Sequence, residues 1–329
     1  MVKYKHMKNF DYRYICSDLL NSLTGKQKEI IIRRFGLRKA KKETLEVIGK
    51  DFGICRERVR QVQSASLEKI SSKAEKYNEV FQAFTRYLKT FGGLRKEDFL
   101  LEELGKSGNE NEVSFLLALK QPFKRINESN DFHSFWTINK DSFDSAEKTI
   151  NSLHSQLKKT KEPLAIKKIK ASLKGKALIS ALDISKKIEK SDQGLYGLSS
   201  WPEINPRGIK DRAYLVFKKT KKPLHFREVT KLIENAHIQT VHNELIKDSR
   251  FVLVGRGTYA LSEWGYSSGQ VKDVIFSVLK QAQKALTKEE VLEQVLKQRM
   301  VKQNTVLLNL NNKTHFLKDS RGKYKIKEA

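Results

Sequence analysis

Between residues 44 and 70, TLEVIGKDFGICRERVRQVQSASLEKI, apolar positions recur at helical spacing on both sides of a glycine break. Leu45, Val47, Ile48 and Phe52 predict a short amphipathic helix that Thr44 can cap and Gly53 can end, since glycine reaches the positive φ of a tight helix terminus without steric cost. A second helix is predicted to start near Arg56. At 100° per residue its Val59, Val62, Ser66 and Ile70 share one side, while Arg56, Glu57, Arg60, Gln61 and Ser64 fall within an arc of about 140° on the other. One side is apolar apart from a serine, and the other is made of hydrogen-bonding groups.

Further along, the pattern repeats over a longer period. Residues 194–201 read GLYGLSSW and residues 257–264 read GTYALSEW, with Gly, Tyr, Leu, Ser and Trp coinciding at an offset of 63. TKEPL at 160–164 answers TKKPL at 220–224, and TVHNEL at 240–245 answers TVLLNL at 305–310. A Gly or Ser, an aromatic two residues on, then Leu or Ile two further recurs as Ser134-Trp136-Ile138, Gly194-Tyr196-Leu198, Gly257-Tyr259-Leu261 and Gly322-Tyr324-Ile326, at offsets of 60, 63 and 65. Each stretch of about 60 residues has one grammar: an amphipathic helix, a second helix opening at Pro-Leu or Leu-Thr, a third helix and a short hairpin. In the third repeat these are DRAYLVFKKT, HFREVTKLIENA, TVHNELIKD and FVLVGRGTYAL, the last alternating around a Gly-Arg-Gly turn. Three helices and a hairpin make a winged helix. The tyrosines and tryptophans at alternate strand positions are assigned to the core, because one face of the hairpin must cover the helices.

The predicted fold is therefore mainly α: an N-terminal helix-turn-helix domain followed by four tandem winged-helix units with small β-hairpin wings. The expected domains are 1–73, then winged-helix units one to four at 74–141, 142–206, 207–266 and 267–329. SSWPEINPRG at 199–208 and SEWGYSSG at 262–269 have the Pro, Gly and Ser expected of linkers.

Composition adds a partner class. The 329 residues include 65 Lys and Arg against 38 Asp and Glu, a net charge of +27, which favours a polyanion such as nucleic acid or an anionic membrane. No apolar run approaches the roughly 18 residues of a spanning helix, and the opening MVKYKHMKNFDYRY has no signal-peptide stretch, so no membrane association and a cytoplasmic location are expected. Cys16 and Cys55 lie far apart with no second pair, which argues against a disulfide framework or a cysteine zinc site and predicts two buried small hydrophobes. Four segments are basic, with net charges of +10, +5, +6 and +7, but residues 74–141 hold 10 Lys and Arg against 11 Asp and Glu. Within that segment the predicted third helix, NENEVSFLLALKQ at 109–121, opens with Glu110 and Glu112, which would repel phosphates across any docked duplex. Unit one is accordingly expected to stay off DNA as a packing or protein-contact module, with Leu116, Leu117 and Leu119 given to core or partner contacts.

The hydrogen-bonding side of the helix after Arg56 has chemistry suited to the major groove: Arg can be bidentate to guanine, Gln to adenine, and Glu can accept from cytosine N4. A solvated amphipathic helix in a small bundle has the same pattern. The ordered set Leu23-Thr24, RRFGL at 33–37, TLEVIGKDFG at 44–53 and RERVRQV at 56–62 resembles region four of the major bacterial sigma factors, the helix-turn-helix that binds the promoter −35 element. The resemblance covers residues 23–70, about one-seventh of the chain. It implies that Arg56, Glu57 and Gln61 contact bases and that Arg58 and Arg60 lie near phosphates, with Ser64, Lys41 and Lys42 as further phosphate-contact candidates. The run Arg38-Lys39-Ala40-Lys41-Lys42 is read equally well as a solvated loop. Cys55 stands where that family usually has a capping Thr or Ser, which predicts a looser helix start. The residues before 23 are too few for the sigma region that engages the −10 element, so the chain is not expected to act as a complete sigma factor alone.

In unit three, Pro223-Leu224-His225-Phe226 and RFVLVGRGTYALSEW at 250–264 resemble the HARE helix-turn-helix domain, a winged helix also found in the delta subunit of bacterial RNA polymerase. Thr240, His242, Asn243 and Arg256 are the DNA-contact candidates there. Catalysis is not expected. No Asp or Glu is followed two residues later by Lys, as the common nuclease core requires, and no phosphate-binding Gly-x-x-x-x-Gly-Lys loop occurs. His237 and His242 miss the i, i+4 spacing of paired ligands and are read as a surface pair. No metal, cofactor or small-molecule substrate is anticipated. The expected function is a transcription factor acting on double-stranded DNA, with the β-subunit flap of RNA polymerase implied as partner by the sigma resemblance. Two alternatives are a delta-like accessory subunit without sequence readout and a DNA-binding subunit of a restriction or defence system.

Overall fold

Asp11 opens the first helix by accepting a hydrogen bond from the Tyr14 amide, 3.0 Å, in a computed structural model that describes residues 10–38, 41–106, 108–267 and 269–327. Helix α1 (Tyr12–Leu20) is followed by α2 (Gly25–Phe35), where Gln27 Oε1 accepts from the Thr24 backbone N–H at 3.2 Å. Next come α3 (Leu45–Phe52) and α4 (Arg56–Lys73). A 3-10 turn at Ala74–Tyr77 leads into the first repeat: α5 (Asn78–Thr90), β1 (Leu94–Lys96), α6 (Glu97–Gly105), α7 (Glu110–Leu119), β2 (Lys124–Ile126) and β3 (Phe135–Thr137). The second repeat holds α8 (Lys140–Thr160), β4 (Leu164–Ala165), a 3-10 turn at Ile166–Lys168, α9 (Gly175–Asp183), β5 (Ile188–Lys190) and β6 (Leu195–Leu198). The chain divides between Ser200 and Trp201 into two compact units.

The second unit contains α10 (Ile209–Thr220), β7 (Leu224–His225), α11 (Phe226–Lys231), α12 (Ile238–Lys247), β8 (Phe251–Gly255) and β9 (Thr258–Leu261). After a 3-10 turn at Ser262–Trp264 follow α13 (Val271–Ala282), α14 (Lys288–Gln298), α15 (Gln303–Leu310), β10 (Phe316–Lys318) and β11 (Tyr324–Ile326). The fold is thus mainly helical with small antiparallel sheets, in the orders β1-β3-β2, β4-β6-β5, β7-β9-β8 and β10-β11.

The aromatic of each repeated triplet lies on the last strand of its sheet and is buried: Trp136, Tyr196, Tyr259 and Tyr324. Two features differ from the expected grammar. The first three sheets have a third strand, because two or three residues ahead of the second helix pair with the outer edge of the last strand, as Leu224 does with Tyr259. That pairing satisfies backbone groups a bare hairpin would leave at its edge. In the second repeat the expected second helix shrinks to the turn at Ile166–Lys168. Lys167, Lys168 and Lys170 crowd positive charge where a helix start disfavours it, and no side chain caps the turn.

In the first compact unit one hydrophobic cluster runs from Tyr12, Leu19, Ile31 and Ile70 through Phe84, Leu100, Phe115 and Leu116 to Trp136. The N-terminal helices and the first repeat therefore share a core. The second repeat is tied to the first by Phe143, whose ring lies 5.3 Å from Phe132 and 5.2 Å from Phe135 between centroids, and by polar groups. Arg95, buried, reaches Glu103 at 2.6 Å and Asp183 at 2.7 Å, and the Ser180 hydroxyl donates to the Leu94 carbonyl at 2.6 Å. Burial raises the Asp183 carboxyl above its usual range, opposed by Arg95.

Candidate nucleic-acid interface

Thr44 Oγ1 accepts from the Val47 amide at 3.3 Å, so α3 starts where its pattern predicts. It ends at Gly53, which has φ +62°. Ile30, Ile48 and Val59, all fully buried, form a small core with Leu45, Phe52, Ile54 and Val62 that fixes α3 and α4 to α2. Gly49 lets the turn close. A Cβ there would lie 2.6 Å from the Ile54 carbonyl oxygen, so any side chain would push the start of α4 away from α3. The loop ahead of α3 is clamped by a device that periodicity does not reveal: Arg33 pairs with both Glu43 and Asp51, while Arg34 donates to the Glu43 carbonyl at 3.0 Å. The hydrogen bonds that Arg33 donates to Glu43 and Asp51 raise its pKa, so the clamp keeps its charge.

On α4 the inward side is Val59, Ser66 and Ile70, with the Ser66 hydroxyl returned to the Val62 carbonyl at 2.6 Å. Arg56, Glu57, Arg58, Arg60, Gln61 and Ser64 are all exposed. They engage one another: Arg60 pairs with Glu57 at 2.7 Å, Arg58 donates to Gln61 at 3.1 Å, and Arg56 lies 3.5 Å from Glu46. The hydrogen bond from Arg60 holds the Glu57 carboxyl below its usual range. These contacts are solvent-exposed and can exchange for base or phosphate partners at small cost.

Cys16 is buried, but Cys55 is exposed at the start of α4 and makes no side-chain capping bond. The expectation of two buried cysteines is corrected at Cys55, which holds the half-in N-cap position at the exposed start of α4, outside the small core beneath it. Lys41 and Lys42 are both exposed, but the Lys42 ammonium turns back to donate to the Ser114 hydroxyl at 3.2 Å. Burial there lowers the Lys42 pKa. Lys39 and Ala40 lie outside the described residues.

In the second compact unit Thr240 and Asn243 are exposed on α12, with Gln239 Nε2 donating to Asn243 Oδ1 at 3.1 Å, and Arg256 is exposed at the turn between β8 and β9. His242 is not half of a surface pair. It stacks on Phe226 at 4.3 Å between ring centroids and meets Tyr259 edge-on at 6.1 Å, because its position on α12 faces α11 and the sheet. Gly257 admits the neighbouring His225, whose Nε2 would lie 2.6 Å from a Cβ. Among the described residues no helix is long and apolar enough to cross a membrane, and no group of three or more His, Cys, Asp or Glu could hold a metal ion.

Residues 19–72, which hold α2, α3 and nearly all of α4, match the family Sigma-70, region 4. Over 53 residues the chain is 42% identical to the RNA polymerase sigma factor SigA of a Bacillus species, a stretch that is 16% of this chain and 14% of that protein. The chain thus aligns with about one-seventh of that relative's length, and the match stops before the repeated units. The segment 19–72 is a sigma-70 region 4 helix-turn-helix domain.

Proposed function

We propose that this chain is a DNA-binding transcription protein that works with RNA polymerase, in which α4 enters the major groove of a −35-like element or operator. The observation that carries the reading is the outward face of α4. Arg56, Glu57 and Gln61 stand exposed over a small rigid core, inside a segment that matches sigma-70 region 4. Arg58, Arg60, Ser64 and Lys41 would contact phosphates, while Lys42 would first have to leave Ser114. Mechanistically the protein acts by binding alone, in the cytoplasm, with the β-subunit flap of the polymerase as the docking partner of the region 4 domain.

The repeated helix, strand, helix, helix and hairpin units are, on this reading, winged helices, those of unit three being of the HARE type. Thr240, Asn243 and Arg256 are its DNA-contact residues. Selection of bound duplexes from random DNA, together with a pull-down from the source cell, tests the proposal. A recovered motif with polymerase subunits in the bound fraction supports it. Polymerase without a motif would favour a delta-like accessory subunit, and a motif without polymerase would favour the restriction or defence subunit.

A further inference from the structure

All twelve basic residues between 142 and 206 are lysines, and eight of them fall in the 19 residues KKTKEPLAIKKIKASLKGK, 158–176, with Glu162 the single acid. That stretch carries +7, whereas the rest of 142–206, with 4 lysines and 6 acids, carries −2. It runs from the last turn of α8 through β4 and the 3-10 turn to the first turn of α9. Lys161, Lys167, Lys168, Lys170 and Lys174 are exposed, and none of these five forms an ion pair among the described residues. Elsewhere in the same repeat, lysines find carboxylates: Lys186 pairs with Glu128, and Lys187 lies 2.9 Å from Asp131. The repeat therefore concentrates uncompensated cations in one surface stretch.

The choice of residue identifies the partner's chemistry. Arginine's planar fork suits bidentate reading of a base edge, and the region 4 helix carries three arginines, Arg56, Arg58 and Arg60. Lysine is a hydrated point charge on a flexible stem, which suits phosphate oxygens but carries no sequence information. Duplex DNA offers one charge about every 1.7 Å of its axis, so a stretch this dense meets several phosphates together. The large apolar residues within it, Leu164, Ile166, Ile169 and Leu173, are half-buried, so it lacks the free apolar face of a membrane-surface segment. We propose that residues 158–176 form a sequence-independent contact with the DNA backbone, adding affinity without base readout. The inference rests on the DNA-binding reading above.

The test uses the full chain carrying Lys161→Gln, Lys167→Gln, Lys168→Gln and Lys170→Gln together, beside the same four positions changed to Arg. Affinity for a duplex of arbitrary sequence is measured against salt. The Gln variant should bind at least about tenfold more weakly at roughly 0.1 M salt, with a log–log slope shallower by about 3 to 4, from roughly 0.9 per phosphate. The Arg variant should restore both, and the sequence selected from random DNA should be the same for all three proteins. A Gln variant with the parent slope overturns the proposal, as does an altered selected motif. So does a loss of binding to phosphatidylserine vesicles with duplex affinity intact. If the parent protein shows no salt-dependent duplex affinity, the DNA-binding reading itself falls. A second measurement needs no substitution: acylation of Lys167, Lys168 and Lys170 in the parent protein should slow when duplex is added, and unchanged rates overturn the contact.

Discussion

Helices α7 and α12 occupy the same station in their repeats, after the second helix and before the hairpin, yet they have opposite surroundings. Helix α7, ENEVSFLLAL, buries every residue from Glu112 to Leu117 and also Leu119. It packs on α1, α2 and α4 as well as on α6. Helix α12, IQTVHNELIK, buries only Val241 and Leu245, and leaves Gln239, Thr240, Asn243 and Ile246 to solvent. The i, i+4 stripe of α12 seats it on α10, α11 and β8 within its own repeat, whereas α7, buried on nearly every side, needs a second surface from outside its repeat. Helix α1 together with α2 and α4 of the region 4 segment supplies that surface to α7.

Unit one was expected to avoid DNA because Glu110 and Glu112 would face phosphates. The structure corrects the reason: Glu112 is buried, and Glu110 accepts from the Gly108 amide at 3.0 Å. The third helix of unit one is interior, so its charge is not what decides its use. A repeated topology fixes where a helix sits in its unit, but the number of apolar sides decides whether the helix can meet a partner.

The contrast breaks most directly on stability. Phe115 is 0% exposed and meets Phe35 edge-on at 5.3 Å, so Phe115→Ala should cost about 3–5 kcal/mol. Ile246 is 62% exposed, and Ile246→Ala should fall within about 0.5 kcal/mol of the parent. Denaturant unfolding followed separately for each compact unit measures both, and equal losses would end the comparison. A smaller effect belongs to binding. Arg56→Ala, Glu57→Ala and Gln61→Ala should each relax preference at one base position by about 1–3 kcal/mol, read by selection from random DNA. Three variants with the parent motif would remove α4 as a reader.

Smaller again, Asn243→Ala and Arg256→Ala should weaken binding to all sequences alike. Any phosphate contact so lost lowers the salt slope by roughly 0.9 in a duplex titration. The smallest effect concerns pH. Burial raises the Glu112 carboxyl above its usual range, so the folded state holds that proton more tightly than the unfolded chain. Its contribution is fully present below the ordinary glutamate pKa and is lost as pH rises through the higher folded value. Glu112→Gln should therefore melt slightly higher than the parent at pH 7, with the gap closing toward acid. A gap that widens toward acid would show that the carboxylate is stabilised in the fold. Glu57, exposed and held low by Arg60, should show no such gain on change to Gln.

Much of the candidate interface was legible because its signals are local. Thr44, Gly53 and the 3.6-residue stripe through Val59, Ser66 and Ile70 depend on bonds and faces within a few residues. The buried aromatics of the last strands were legible for the same reason, through period-two alternation after a turn. What escaped was non-local. The two-residue strand Leu224–His225 has no period of its own and exists because the edge of β9 needs a partner. His242 looked like a surface residue until Phe226 and Tyr259 came against it, and Lys42 looked like a free cation until Ser114 did.

By itself, then, the sequence determined the helix-turn-helix, the outward chemistry of α4, the repeat and the place of each aromatic, since each follows from neighbours along the chain. Only the tertiary structure decided which helices stay exposed. It merged the first repeat with the region 4 domain into one core, drew Glu112 inside and bound the second repeat to the first through Arg95 and Asp183. Burial is a property of two surfaces, and the second surface comes from residues distant in sequence, 88 positions away in the case of Arg95 and Asp183.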